Sequence, residues 1–182
     1  MFGASTEFQT GRQAFLAKNY SKARERFQRV ADAEPDHVFI SGNFRESVWT
    51  YLGRAQYALR EFGAARQCFE AAVAAGKDDP IARLYFGLTL VRENKAAGVR
   101  QMEVGLKALH SWIEQVNAST PSAAPWDPRQ EIRRSIENNL ARIASRTANV
   151  QELIANGEWI GERMEEEVEH VRRDESRRLD SE

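Results

Sequence analysis

The sequence predicts an all-α fold, a stack of helical hairpins. Three observations carry that expectation. Gly53 and Gly87 stand 34 residues apart, and the residues around them recur with them. Apolar residues return at three- and four-residue spacing through most of the chain, the period of an amphipathic helix. Cap signals, such as Asp79 ahead of Pro80, punctuate that pattern where helices should start. Stacks of this kind more often hold other proteins than carry out chemistry.

The first unit reads Gly11, Ala23-x3-Phe27, Val30 and Pro35, and the second reads Trp49-x2-Leu52-Gly53, Ala65-x3-Phe69 and Ala72. Their offset is 42 residues, so one period of about 34 plus about eight inserted residues accounts for it. The insertion lies between Pro35 and Glu46, a stretch containing His37-Val38-Phe39-Ile40-Ser41-Gly42. The third unit keeps Gly87, with Phe86, Val99 and Leu106 at the apolar places. It departs at Arg83 in place of the Trp and at Glu103 in place of the core Phe.

This pattern resembles the tetratricopeptide repeat family, whose signature is a Trp, a Leu-Gly, an Ala-x3-Phe and a closing Pro. The resemblance implies a right-handed α-α superhelix of about three hairpins with C-terminal capping helices. The repeats are expected over residues 1–117, as hairpins at about 4–35, 44–77 and 80–113 with an insertion at about 36–43. A linker follows at 118–128, then a capping helix and a long charged amphipathic helix at 129–182.

Each element has a local reason. In the second unit Trp49, Leu52, Ala55, Gln56 and Leu59 share one helix face, and Ala65, Cys68, Phe69, Ala72 and Val73 share the face of its partner. Small residues at Gly53 and Ala65 permit close backbone approach, and Phe69 fills the space between hairpins. Replacing a buried Phe27 or Phe69 with Ala should cost about 3–5 kcal/mol. Asn43 with Glu46 reads as a capping box that starts the second unit's first helix. Turns are expected at Lys18-Asn19, Glu61-Phe62-Gly63 and Glu93-Asn94-Lys95. Ala96 to about Asn117 reads as a single helix with Met102, Leu106, Leu109 and Ile113 on one side.

Beyond the linker, Asp127-Pro128 with Gln130 restarts a helix carrying Ile132, Ile136, Leu140 and Ile143, a cover for the exposed end of the stack. Asn149 with Glu152 forms a second capping box, and Asn156-Gly157 is expected to interrupt the segment it opens. The final helix carries Trp159, Ile160, Met164, Val168 and Val171 as a narrow apolar stripe. Glu162, Glu165, Glu166, Glu167 and Glu169 make its first half acidic. It reads either as a solvated helix with pairs such as Glu169–Arg173 or as a surface that docks on a second copy or a partner.

Bulk numbers narrow the function. The net charge of −1 gives no long-range attraction for nucleic acid, and no apolar run reaches the roughly 18 residues of a membrane span. Cys68 has no second cysteine to pair with and sits on a core face, the setting of an inert thiol. Met1 to Thr6 lacks the basic and apolar segments of an export signal, the expectation for a cytoplasmic protein. An export signal removed ahead of the chain would instead make it periplasmic.

No catalytic constellation is expected, nor any cofactor. His37, His110 and His170 share no metal-ligand spacing, and His170 beside Glu166 and Glu169 reads as a solvated face. Asn117-Ala118-Ser119 fits a glycosylation acceptor, a pattern common by chance. The functional expectation is therefore a non-catalytic scaffold.

The resemblance places a peptide-binding groove along Phe8, Arg12, Phe15 and Leu16, then Thr50, Tyr51, Arg54 and Tyr57, then Leu84, Tyr85, Leu88 and Arg92. Arg12 and Arg54 occupy equivalent repeat positions, and guanidinium groups among aromatics suit an acidic or aromatic-bearing protein or peptide partner. The Lys and Asn carboxylate clamp of some relatives is replaced here by Phe8, Arg12, Tyr51, Ile81 and Tyr85. The groove is either open to a partner or filled by the chain's own C-terminal helix. The alternative function is a homo-oligomer, with that helix and the Phe39-Ile40-Phe44 insertion packed between subunits.

Overall fold

The computed structural model describes residues 3–76, 79–120 and 125–179. The chain is mostly helical. Its elements are α1 (Ala4–Leu16), α2 (Tyr20–Ala33), β1 (Val38–Ser41), β2 (Phe44–Ser47), α3 (Val48–Ala58), α4 (Phe62–Ala74), α5 (Pro80–Leu90), α6 (Lys95–Ser119), α7 (Glu131–Ala144) and α8 (Val150–Leu179). They divide into two compact units. The first comprises Met1–Phe39 with Arg45–Ala82, and the second Ile40–Phe44 with Arg83–Glu182.

In the first unit α1 packs on α2, α2 on α3, and α3 on α4. Phe27 and Phe69, both fully buried, hold these contacts. A β-carbon added at Gly11 would lie 2.9 Å from the Phe27 ring, and one at Gly53 would lie 2.7 Å from the Phe69 ring. Each ring therefore lies flush on the backbone of the facing helix, a contact open only to glycine. Asn19 caps α2 by accepting from the Lys22 amide, and Lys18 takes the left-handed conformation that reverses the chain. The turn before α4 falls earlier than expected: Arg60 carries the positive φ of 64°, and α4 already begins at Phe62.

The insertion is a two-stranded β-hairpin. Val38, Phe39 and Ile40 favour extended backbone. Gly42, at φ 55°, heads a two-residue loop with Asn43 of the kind that matches strand twist. The expected Asn43–Glu46 capping box is corrected by this hairpin. Ser47 is the N-cap of α3, its hydroxyl accepting from the Thr50 amide at 3.2 Å. Glu46 lies in β2 with its side chain buried.

Asp79 caps α5 as its place before Pro80 predicts, accepting from the Ala82 amide at 2.9 Å. It also accepts from the Ser47 amide at 2.9 Å and the Thr50 hydroxyl at 2.6 Å. One carboxylate thus ties the starts of α3 and α5. Burial pushes its pKa above the ordinary carboxylate range, opposed by the hydrogen bonds from Thr50, Ser47 and Ala82.

In the second unit α6 runs unbroken past the length of a repeat helix, as its stripe of Met102, Leu106, Leu109 and Ile113 predicts, and all four are buried. It approaches the α5 segment at three glycines. A β-carbon on Gly87 would meet Met102 N at 2.4 Å, one on Gly98 the Val91 backbone at 2.2 Å, and one on Gly105 Leu84 N at 2.5 Å. Gly98 and Gly105 bring backbone against backbone near Glu103, where the expected third repeat departs from a core Phe.

Pro121 to Ala124 of the expected linker lie outside the described residues. Its end is a packed corner. Trp126 is buried, 4.9 Å from the Trp112 ring and 5.6 Å from the Phe44 ring. Asn117 grips its backbone in both directions, donating to the Trp126 carbonyl at 2.9 Å and accepting from its amide at 2.8 Å. The amide of the glycosylation-like triplet is therefore engaged inside the fold.

Helix α7 starts at Glu131, after Gln130 in the left-handed conformation at φ 58°. The Gln130 side chain makes no cap. Asp127 takes that role, its carboxylate accepting from the Ile132 amide at 3.1 Å and the Arg133 amide at 3.0 Å. Asn149 caps α8 through the Gln151 and Glu152 amides. The interruption expected at Asn156-Gly157 does not occur, and α8 is one helix of 30 residues. Gly157 is instead a contact point: its β-carbon would lie 2.9 Å from Leu88 and 3.2 Å from Met102. The stripe of Ile160, Met164 and Val168 is buried within the chain. Glu165 and Glu167, expected on the solvated acidic face, are buried too.

Candidate functional site

The predicted groove positions fall in both units. In the first, Phe8, Arg12, Tyr51, Arg54 and Tyr57 are buried, and Phe15 is partly exposed. Their polar partners lie inside the unit. Arg12 donates from Nε to the Tyr51 hydroxyl at 3.0 Å, and its guanidinium lies 4.4 Å from the centre of the Phe39 ring. Arg54 lies 4.9 Å from the Phe15 ring and donates to Glu46 Oε1 at 2.8 Å. Both members of the Arg54–Glu46 pair are nearly inaccessible, with side-chain exposures of 3% and 0%.

The physical reason is aromatic packing. Phe8, Phe27, Phe39 and Tyr51 form one cluster, with Phe8 at 5.3, 5.7 and 5.2 Å from the other three rings. A guanidinium on a ring face in a desolvated site gains about 2 kcal/mol or more. The two arginines thus cross-brace the helices, with Phe39 and Glu46 of the hairpin as their partners. Sequence spacing found the equivalence of Arg12 and Arg54. It missed Phe39 and Glu46, for which the signal was the Gly42-Asn43 turn between two strand-like runs. Tyr57 packs edge-on against Phe62, centroids 5.2 Å apart.

Cys68 is buried beside Gln56, whose side-chain oxygen it meets at 3.2 Å. Burial pushes the thiol up to about 12, so it stays protonated at neutral pH.

In the second unit the groove positions Tyr85, Leu88 and Arg92 each meet α8. A β-carbon at Gly161 would lie 2.4 Å from the Tyr85 hydroxyl, and one at Gly157 would lie 2.9 Å from Leu88. Arg92 donates to Glu158 Oε1 at 3.0 Å. Gly157 and Gly161 stand one turn apart, so they form a smooth strip on which the two side chains rest.

Helices α7 and α8 also pack together, and between them lies an open cleft of about 550 Å³. Glu131, Arg134, Ser135, Asn138, Asn139, Arg142, Asn156 and Trp159 line it. Trp159 is 38% exposed. Among the described residues no group of three or more His, Cys, Asp or Glu side chains converges as a metal site would. Nor is any of the described helices long and apolar enough to cross a membrane.

Neither protein-family models nor curated proteins give a match to this sequence.

Proposed function

We propose that this chain is a non-catalytic protein-interaction scaffold of the tetratricopeptide-repeat type, about three hairpins in a right-handed superhelix, whose third-hairpin groove is filled by its own C-terminal helix. The observation that carries the reading is the contact of Tyr85, Leu88 and Arg92 with Gly161, Gly157 and Glu158. Helix α8 thus takes the place along α5 that a partner segment would take in an open groove. In the first unit Arg12 and Arg54 face Tyr51, Phe39, Phe15 and Glu46, which supports a bracing role in place of direct peptide contact.

A fluorescent peptide spanning residues 150–171 tests the closed groove. An open groove would bind it in the micromolar range, about −8 kcal/mol. The intact chain is expected to leave its anisotropy unchanged, whereas a Gly157→Leu, Gly161→Leu double variant with unchanged overall helicity binds it. Micromolar binding by the intact chain would show the groove to be open and overturn the reading.

A further inference from the structure

The cleft between α7 and α8 has the chemistry of a recognition site, and its charges do not cancel. Glu131 is matched by Arg163 at 3.2 Å, and Arg142 is matched by Glu152. Arg134 makes no ion pair with any described residue, so one guanidinium in the cleft is left over. It stands on an i, i+4, i+8 row with Asn138 and Arg142, so the three side chains share one edge of α7.

The opposite wall supplies an aromatic surface. Trp159 is exposed, although Ile160 beside it is fully buried. Its indole N–H has no partner among the described residues. The floor is hydrogen-bonded: the Asn156 side-chain amide donates to the Asn139 side-chain oxygen at 3.1 Å, and the Asn139 side-chain amide donates to the Ser135 backbone carbonyl at 2.7 Å. Asn139 is itself 2% exposed, so this network is fixed in the fold. A volume of about 550 Å³ lies within the size range of small-ligand and peptide side-chain pockets.

We infer that this cleft binds a carboxylate-bearing peptide segment of a protein partner, its carboxylate on Arg134 and a neighbouring apolar side chain on Trp159. A planar guanidinium takes a carboxylate with two parallel hydrogen bonds. Asn138 and Ser135 offer amide and hydroxyl groups to the peptide backbone between the two anchors. The inference rests on the scaffold reading, yet its site lies apart from the α5 face, so the two can fail separately.

The carboxylate has two sources, an acidic side chain or a chain terminus. Titration of the intact protein with three five-residue peptides, followed at the Trp159 indole N–H resonance assigned with Trp159→Phe, distinguishes them. The first peptide has both ends blocked and two glutamates flanking a leucine. The second replaces the glutamates with glutamines and keeps a free C-terminus. The third replaces them with lysines and has both ends blocked.

Saturable shifts with the first or second peptide support the site and name the carboxylate's source. Arg134→Glu should weaken that peptide about tenfold or more, with Arg134→Lys recovering part of the loss. Equal shifts with the lysine peptide, undiminished binding by Arg134→Glu, or no shift with either carboxylate peptide would overturn the inference. The α8 peptide carries glutamates of its own, so binding of that peptide that persists in Arg134→Glu reads the α5 face, and binding lost in that variant reads the cleft.

Discussion

Tyr85 rests on the backbone of Gly161, with its hydroxyl 2.4 Å from where a β-carbon at that position would sit. Tyr85 is 6% exposed, so the ring has little room to withdraw. Gly161→Leu should therefore destabilise the chain by about 1–3 kcal/mol through overpacking, despite the higher helix propensity of leucine. A urea titration checks it. A shorter side chain at position 85, as in Tyr85→Leu, should recover part of the loss in the double variant, the signature of direct contact.

The Arg54–Glu46 pair links α3 to the hairpin that precedes it. Removing one member of a buried pair leaves the other uncompensated, which costs about 3–5 kcal/mol. Arg54→Ala is expected to fall in that range in a denaturant titration. The Arg54→Met, Glu46→Leu double variant should lose much less. Equal losses for the single and double variants would show that packing, not charge, governs the site.

Cys68 should resist modification. Its thiol, pushed up to about 12 by burial, holds almost no thiolate at neutral pH. Labelling with a thiol reagent at about pH 8 is expected to be at least a hundredfold slower in the native chain than in denaturant. A native rate near the unfolded one would show that the α4 face opens readily.

Glu167 gives the chain a pH dependence of known sign. Burial raises its pKa above the ordinary carboxylate range, while the hydrogen bond from the Asp127 amide opposes the shift. A carboxyl raised in the folded state contributes stability when protonated and loses it as pH climbs through the folded value. Glu167→Gln keeps an acceptor for the Asp127 amide and removes the titration. Thermal melts from about pH 4 to about pH 8 should show the variant gaining on the parent chain as pH rises. A variant that loses ground to the parent chain as pH rises would contradict the assignment.

Much of the helical order was legible in the chain. Gly11 and Gly53 with Phe27 and Phe69 specify close helix contacts, because a large ring on the neighbouring helix needs a surface without a side chain. Asp79 and Asn149 announced their helices, since short polar side chains satisfy amides that a first turn leaves free. The hairpin at 38–47 was obscured by position: lying where a repeat insertion was expected, its two strands were read as an insertion and a helix-starting capping box. Gly157 was read as a breaker because, in sequence, a glycine that ends a helix and one that admits a neighbour look the same.

The candidate groove shows the same division. The resemblance picked out Phe8, Arg12, Tyr51, Arg54, Tyr85 and Leu88 as residues lining one face of successive helices. Whether such a face is wet or covered depends on residues outside the helix that carries it: Phe39 and Glu46 for the first unit, Gly157 and Gly161 for the second. Local periodicity therefore determined which side chains turn inward, because that follows from 3.6 residues per turn. What meets them there was decided by long-range packing, where the absence of a β-carbon at Gly161, far along the chain from Tyr85, lets one helix lie on another.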